Sequence, residues 1–405
     1  MDGYAHPEFA AVEATFRNQL DKTNGGAAVA VYHRGEKVVD LWGGSRTNEG
    51  DPWTEDTIAM CYSTTKGVAS FALHLQVEAG LVSYDEPVAT YWPEFAQNGK
   101  EGVTVRHVLS HSAGLHRVRS VVERAHHMLD WDHMVNALAQ EPPAYEPGTK
   151  CGYHAMTYGW LVGEIVRRVT GKDLGEVVAD SIATPLGLDG LYLGCPPEER
   201  HRVAPLEPMT SGRQLLPKRM RGVEKKIGEQ FAKGLSLARS PINPRRMINA
   251  LIPRGMEDII ASPELMDAEV PAVNGFFSAR SLAAMYGVLA GRGQLDGVRL
   301  LAPELVDQIG EVQISKRDLV LVVPMKWRLG YHRLMTSKGP SDTGFGHFGF
   351  GGSGGWADPT KDLAVAMVCN RGNGTPVGDM RLMRLSTAAY ESVEGRSAAV
   401  DESAA

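Results

Sequence analysis

Residues 61–67 read Cys61-Tyr62-Ser63-Thr64-Thr65-Lys66-Gly67, and the helix-forming run GVASFALHLQVEAG continues from Gly67. Serine is a favoured helix cap, and a lysine three positions later is commonplace. The same spacing puts the two side chains on one helix face, since i and i+3 are neighbours. A helix starting at about Ser63 would place that serine at the positive end of the helix dipole, where a developing alkoxide is stabilised. A partly buried, unprotonated Lys66 could then take the serine proton. Both readings, cap and nucleophile, stand on this stretch alone.

Outward from it, the chain is 405 residues long, enough to bury a sizeable core, with 43 % hydrophobic and 22 % charged residues, ordinary globular values. The net charge of −6 gives no reason to expect nucleic acid as a partner. A local exception is the basic stretch between Arg213 and Arg246, read first as a solvated surface segment. Cys61, Cys151, Cys195 and Cys369 are widely spaced and lack a CxxC pair, which fits a reducing compartment. The N-terminal MDGYAHPEFAAVEATF has no apolar h-region, and no run nears the ~20 apolar residues of a membrane span. The expected setting is the cytoplasm, with no membrane partner.

Residues 8–22 carry Phe9, Val12, Phe16 and Leu20 at helical spacing, and GGAAVAVYHRGEKVVDLWGG reads as a hairpin turning at Arg34-Gly35. Between residues 81 and 210 the chain reads mainly helical, with VTVRHVLSHSAGL and YGWLVGEIVRRVTG clearest, the latter closed by Gly171. Residues 211–262 read as an irregular basic loop or lid. A helix at SARSLAAMYGVLAGRG, turn-separated strands from LDGVRLL to DLAVAMVCNR, and a final helix follow, with a small polar tail at 397–405. The expected fold class is α/β (α+β). Residues 1–80 and 263–396 form one sheet domain from both chain ends, 81–210 a helical domain, and the cleft between them a small-molecule site.

Two further segments carry chemistry. PGTKCGYHAMTYGW holds Tyr153 and Tyr158; a tyrosine beside a cationic lysine can have its pKa lowered and act as a base, or can be a satisfied core tyrosine. GHFGFGGSGGWADP, residues 346–359, is a glycine-dense strand edge that can bring backbone N–H groups to an oxyanion, or is a plain turn. Within it Gly351-Gly352-Ser353-Gly354-Gly355 matches G-x-S-x-G, but a strand rather than a helix follows, so Ser353 reads as a decoy. His126, His127 and His133 lack carboxylate or cysteine partners at ligand spacing, so no metal is expected. His111 reads as a loop stabiliser. Trp131, Trp327, Phe348, Phe350 and Trp356 are candidates for an apolar acyl pocket, Phe348 and Phe350 foremost.

In their order along the chain these segments resemble the serine β-lactamase and penicillin-binding-protein superfamily, in particular its family VIII carboxylesterases. The resemblance runs through the 25–44 hairpin, MCYSTTKGVAS, VTVRHVLSHSAGLHRV, PGTKCGYHAMTYGWLVGEIVRRVTG, NGFFSARSLAAMYGVLAGRGQLDG and FGHFGFGGSGGWADP, nearly the whole chain. It implies a β-lactamase-like fold, an antiparallel sheet flanked by helices beside a mainly helical domain. It also implies a cofactor-free Ser-Lys-Tyr hydrolase of short-chain carboxylic esters. On these motifs Ser63 matches the acylated nucleophile, Lys66 its partner and Tyr153 the tyrosine of Y-x-N. His347-Phe348-Gly349 matches the lysine-threonine-glycine strand, with the N–H groups of Ser63 and Phe350 as oxyanion hole. Two departures stand out: Ala155 replaces the asparagine of Y-x-N, and His347 replaces the strand lysine. Losing that permanent cation points to neutral esters, His347 carrying charge only at mildly acidic pH. The alternatives are a β-lactamase, D-aminopeptidase or transacylase of the same superfamily, and a catalytically inactive scaffold.

Overall fold

A computed structural model describes residues 1–23, 25–206, 249–371 and 379–404, with side chains in the last helix up to Arg396. The basic 213–246 stretch lies outside the described residues. In chain order the strands are β1 (Asp2–Ala5), β2 (Gly26–His33), β3 (Glu36–Gly44), β4 (Ile58–Met60), β5 (Leu191–Leu193), β6 (Val203–Ala204) and β7 (Gly275–Phe277). They continue as β8 (Gln294–Leu295), β9 (Val298–Arg299), β10 (Ile314–Arg317), β11 (Pro324–Trp327), β12 (His332–Thr336), β13 (Gly339–Phe348), β14 (Gly354–Asp358) and β15 (Leu363–Cys369).

Among the described residues, nine strands form one antiparallel sheet in the order β1-β3-β2-β15-β14-β13-β12-β11-β10. Strands near the N-terminus and strands beyond residue 314 therefore share a sheet, as the sequence suggests. The centre of the sheet is buried on both faces, and side-chain size sorts the faces by the period-2 alternation of strands. Ala28, Ala30, Ala364, Ala366 and Val368 point to the larger core, where small side chains let the Ala279–Ala290 helix pack close. Val29, Val31, Leu363, Val365 and Met367 point to the other face, covered by the Ala10–Leu20 and Met380–Ala404 helices. That last helix runs past the point where the sequence reading starts a tail.

A second, four-stranded sheet, β5-β7-β4-β6, goes unread in the sequence, and two of its strands, β5 and β6, lie in the stretch read as mainly helical. Its strands are two or three residues long, too short for an alternation to show. The Tyr158–Thr170 helix ends as expected on Gly171 in the left-handed region. The VTVRHVLSHSAGL block is helical only over Val105–Leu109, because His111 turns the chain out at φ 56°. LDGVRLL is the two-residue hairpin β8–β9 and not a sheet strand of the main body.

Candidate active site

Ser63 sits in a single 3-10 turn, Tyr62–Thr64, and the following helix spans Thr65–Glu78. The cap expected of it is absent: Thr64 holds the N-cap position, without a side-chain capping bond. Its hydroxyl is therefore not spent on the helix. The turn is built from Tyr62 in the left-handed region, φ 48°, a conformation that surrounding structure must enforce. β7 supplies the enforcement, since Cys61 N–H donates to the Gly275 carbonyl at 2.8 Å and Gly275 N–H to Thr65 Oγ1 at 2.9 Å.

Lys66 follows one turn later, with no exposed surface. Its Nζ lies 3.0 Å from Ser63 Oγ and donates to the Ala272 carbonyl at 3.0 Å. Among the described residues it has no carboxylate partner, and burial alone pushes its pKa well below that of an ordinary lysine. An uncompensated ammonium at this depth is costly, so burial favours the neutral amine.

Tyr153 lies across Lys66, whose Nζ is 5.1 Å from the ring centroid. The lowered tyrosine pKa expected from a cationic neighbour is reversed. Burial pushes it up, although a hydrogen bond with Ser63 pulls the other way. With Lys66 neutral there is no cation to stabilise a phenolate, and Tyr153 keeps its proton. Trp327 stacks on the Tyr153 ring at 5.6 Å and 6°, and His111 meets it edge-on at 5.0 Å.

The third side is the end of β13 and the turn 349–353. Gly349 allows this approach: a Cβ there would stand 2.2 Å from the Cys61 carbonyl oxygen and 2.8 Å from Thr64 Oγ1. Phe350 lies in the turn, its ring edge-on to Tyr62 at 5.8 Å. Among the described residues neither its N–H nor that of Ser63 donates to another backbone group. Arg381, paired with Asp379, donates to the Gly351 carbonyl at 3.1 Å and fixes the turn from behind.

His347 is buried, and the charge expected at mildly acidic pH is not available to it. Burial, the largest cause, pushes its pKa well below the ordinary histidine value. Its Nδ1 is 3.1 Å from the Phe348 carbonyl and so carries the proton, which leaves Nε2 as a bare acceptor without a partner among the described residues. His332 accepts the Phe348 N–H on Nε2 at 3.1 Å.

Beyond Tyr153 and His347 extends a cavity of about 490 Å³, walled chiefly by Leu321, Met325, Trp327, Met335, Phe348 and Met383. Of the acyl-pocket candidates, Trp327 and Phe348 line it. Trp131 donates to Glu164 elsewhere, and Trp356 is buried on the far face of the sheet, donating to Ser386. Lys326 and Arg333 border the cavity, and Arg333 is paired with Asp342.

Ser353 is buried, its Oγ accepts the Cys369 N–H at 3.1 Å, and among the described residues its hydroxyl has no lysine, histidine or carboxylate partner. His126, His127 and His133 cluster, yet among the described residues no group of three or more histidine, cysteine or acidic side chains could hold a metal. His111 is a buried residue of the loop it is read as stabilising. Its Nδ1 accepts the His154 N–H, and its ring is packed between Tyr153, Trp327 and Tyr158. Among the described residues no helix is long and apolar enough to cross a membrane.

Compared with known proteins, residues 12–389 match the model of the beta-lactamase family. The chain is 37 % identical over 378 residues to the esterase/beta-lactamase LipL of Mycobacterium tuberculosis, covering 91 % of this chain and 82 % of that protein. The solved structure of a family VIII carboxylesterase superposes with a TM-score of 0.81 at 34 % identity, covering 96 % of this chain and 99 % of that one. A penicillin-binding protein homologue from Caulobacter crescentus gives 0.81 at 35 % identity, with the same coverage.

Proposed function

This chain belongs to the beta-lactamase family, and on that premise we propose that it is a serine carboxylesterase working through an acyl-enzyme on Ser63. The observation that carries the reading is the fully buried Lys66 amine 3.0 Å from the Ser63 hydroxyl. Lys66 takes the Ser63 proton as Oγ attacks the ester carbonyl. The oxyanion forms against the N–H groups of Ser63 and Phe350, each such donor being worth roughly 3 kcal/mol in comparable sites. Tyr153 gives its proton to the departing alcohol and regains one from Lys66. Water then releases the acid by the same relay.

A neutral His347 and a largely apolar cavity support a neutral ester with an apolar acyl or alcohol group, short chains included. The names of its relatives, an esterase/beta-lactamase and a carboxylesterase, support the same assignment. Four buried free cysteines support the cytoplasm as its compartment. The test is labelling with a fluorophosphonate and mapping of the adduct, alongside p-nitrophenyl butyrate and nitrocefin turnover. An adduct on Ser63 with ester turnover ahead of cephalosporin turnover is the expected result. An adduct on Ser353 overturns the site, faster nitrocefin hydrolysis overturns the substrate class, and no adduct at all favours an inactive scaffold.

A further inference from the structure

Between β10 and β11 the sequence runs Asp318-Leu319-Val320-Leu321-Val322-Val323, a single acid leading an apolar run. Asp318 is only 1 % exposed. Its Oδ1 accepts the backbone N–H of Tyr153 at 3.1 Å, of Val320 at 2.8 Å and of Leu321 at 2.9 Å. Its Oδ2 accepts the Trp327 indole N–H at 3.2 Å. Burial pushes its pKa up, and the four N–H donors pull it back. A buried carboxylate is tolerated only when bonded in this manner.

What the carboxylate grips is informative. Two of its four bonds reach residues that define the position of Tyr153: the backbone of Tyr153 itself, and the indole stacked on the Tyr153 ring. The other two fold the loop whose Leu321 lines the cavity. That loop carries Val322 at φ 62°, a strained setting for a β-branched residue, and Leu319 N–H ties it to the Cys151 carbonyl at 3.0 Å. Closing a loop alone needs only a neutral Asx-type acceptor. The second oxygen, directed at Trp327, is what a neutral cap would not supply.

We propose that Asp318 is a positioning residue for Tyr153, holding its hydroxyl at the departing oxygen through the peptide on one side and the Trp327 face on the other. The proposal rests on the reading of Tyr153 as the proton donor to the leaving alcohol. Asp318→Asn keeps the size and the Oδ1 acceptor but sets an amide N–H against the indole N–H, releasing Trp327. A departing alkoxide needs the Tyr153 proton and a nitrophenolate does not, so leaving-group dependence separates positioning from general loosening.

The experiment compares ethyl butyrate with p-nitrophenyl butyrate. For Asp318→Asn, kcat/KM falls about 100-fold on the ethyl ester and less than about tenfold on the nitrophenyl ester, with the loss in kcat. Val322→Gly relaxes the same loop without touching the carboxylate, and both esters stay within about threefold of wild type. If Asp318→Asn does not fold by circular dichroism, Trp327→Phe carries the test. It keeps a ring on Tyr153 and removes the N–H, and a bias of about tenfold against the ethyl ester is expected. Equal losses on both esters, or none, with Ser63 still labelled by fluorophosphonate, make Asp318 structural and leave the esterase reading intact. Failure of the wild type to label on Ser63 overturns both.

Discussion

Two turns touch beside Lys66, and each presents a serine inside a pattern associated with nucleophiles. Thr64 Oγ1, next to Ser63, donates to the carbonyl of Ser353 at 3.1 Å, so the two are neighbours. The surroundings of their hydroxyls differ completely. Ser63 Oγ faces a neutral amine, while Ser353 Oγ accepts the N–H of Cys369 at 3.1 Å and points back at the Cys369 carbonyl at 3.4 Å. One turn leaves its hydroxyl beside the Lys66 amine and the other uses it to join β15 to the glycine turn. A motif fixes spacing; whether the oxygen is free is decided by what packs against it.

The largest effect should come from breaking the first turn. Ser63→Ala is expected to lower kcat by at least about 10⁴-fold with little change in melting temperature, measured on p-nitrophenyl butyrate. Residual turnover within tenfold of wild type would place the nucleophile elsewhere. Lys66→Arg comes next, at about 10³-fold, because a guanidinium stays charged and cannot accept the serine proton. In the wild type burial lowers the pKa of the amine and so favours its basic form. Activity therefore falls on acidification, as Lys66 gains a proton, and Lys66→Arg stays flat and low across the same range. An unchanged acid limb in that variant would assign the limb to another group.

Gly349→Ala tests the contact between the turns. The new Cβ meets the Cys61 carbonyl oxygen at 2.2 Å, a backbone atom that cannot swing aside. The turns must part, which withdraws the Phe350 N–H from the oxyanion, and a loss of about 10²- to 10³-fold in kcat is expected. Labelling of Ser63 at the wild-type rate would show that Phe350 contributes nothing.

Much of this was legible along the chain because it is local. The 25–44 hairpin, the Tyr158–Thr170 helix and the Ser63–Lys66 spacing are each written in 20 consecutive residues or fewer. What was hidden depends on burial or on partners far away in sequence. The direction of the Tyr153 pKa follows from Lys66 being neutral, which only its depth reveals. Asp318 meets Tyr153 across 165 positions, and the acid before an apolar run was its only trace. β4 to β7 were missed because strands of two or three residues have no period to read.

The smallest effect falls on the second turn and sharpens the comparison most. Ser353→Ala removes the acceptor of the Cys369 N–H, which lies in the buried strand β15 beside β2. A buried N–H left without a partner costs about 1–3 kcal/mol, so chemical denaturation should show a loss of that order. Turnover should stay within about threefold of wild type, since Gly349 N–H donates to the backbone carbonyl of Ser353, which the substitution leaves in place. The pattern expected is thus the mirror of Ser63→Ala: stability without activity there, activity with reduced stability here. A variant that kept its stability and lost its turnover would make Ser353 the working serine and reduce the buried lysine to packing.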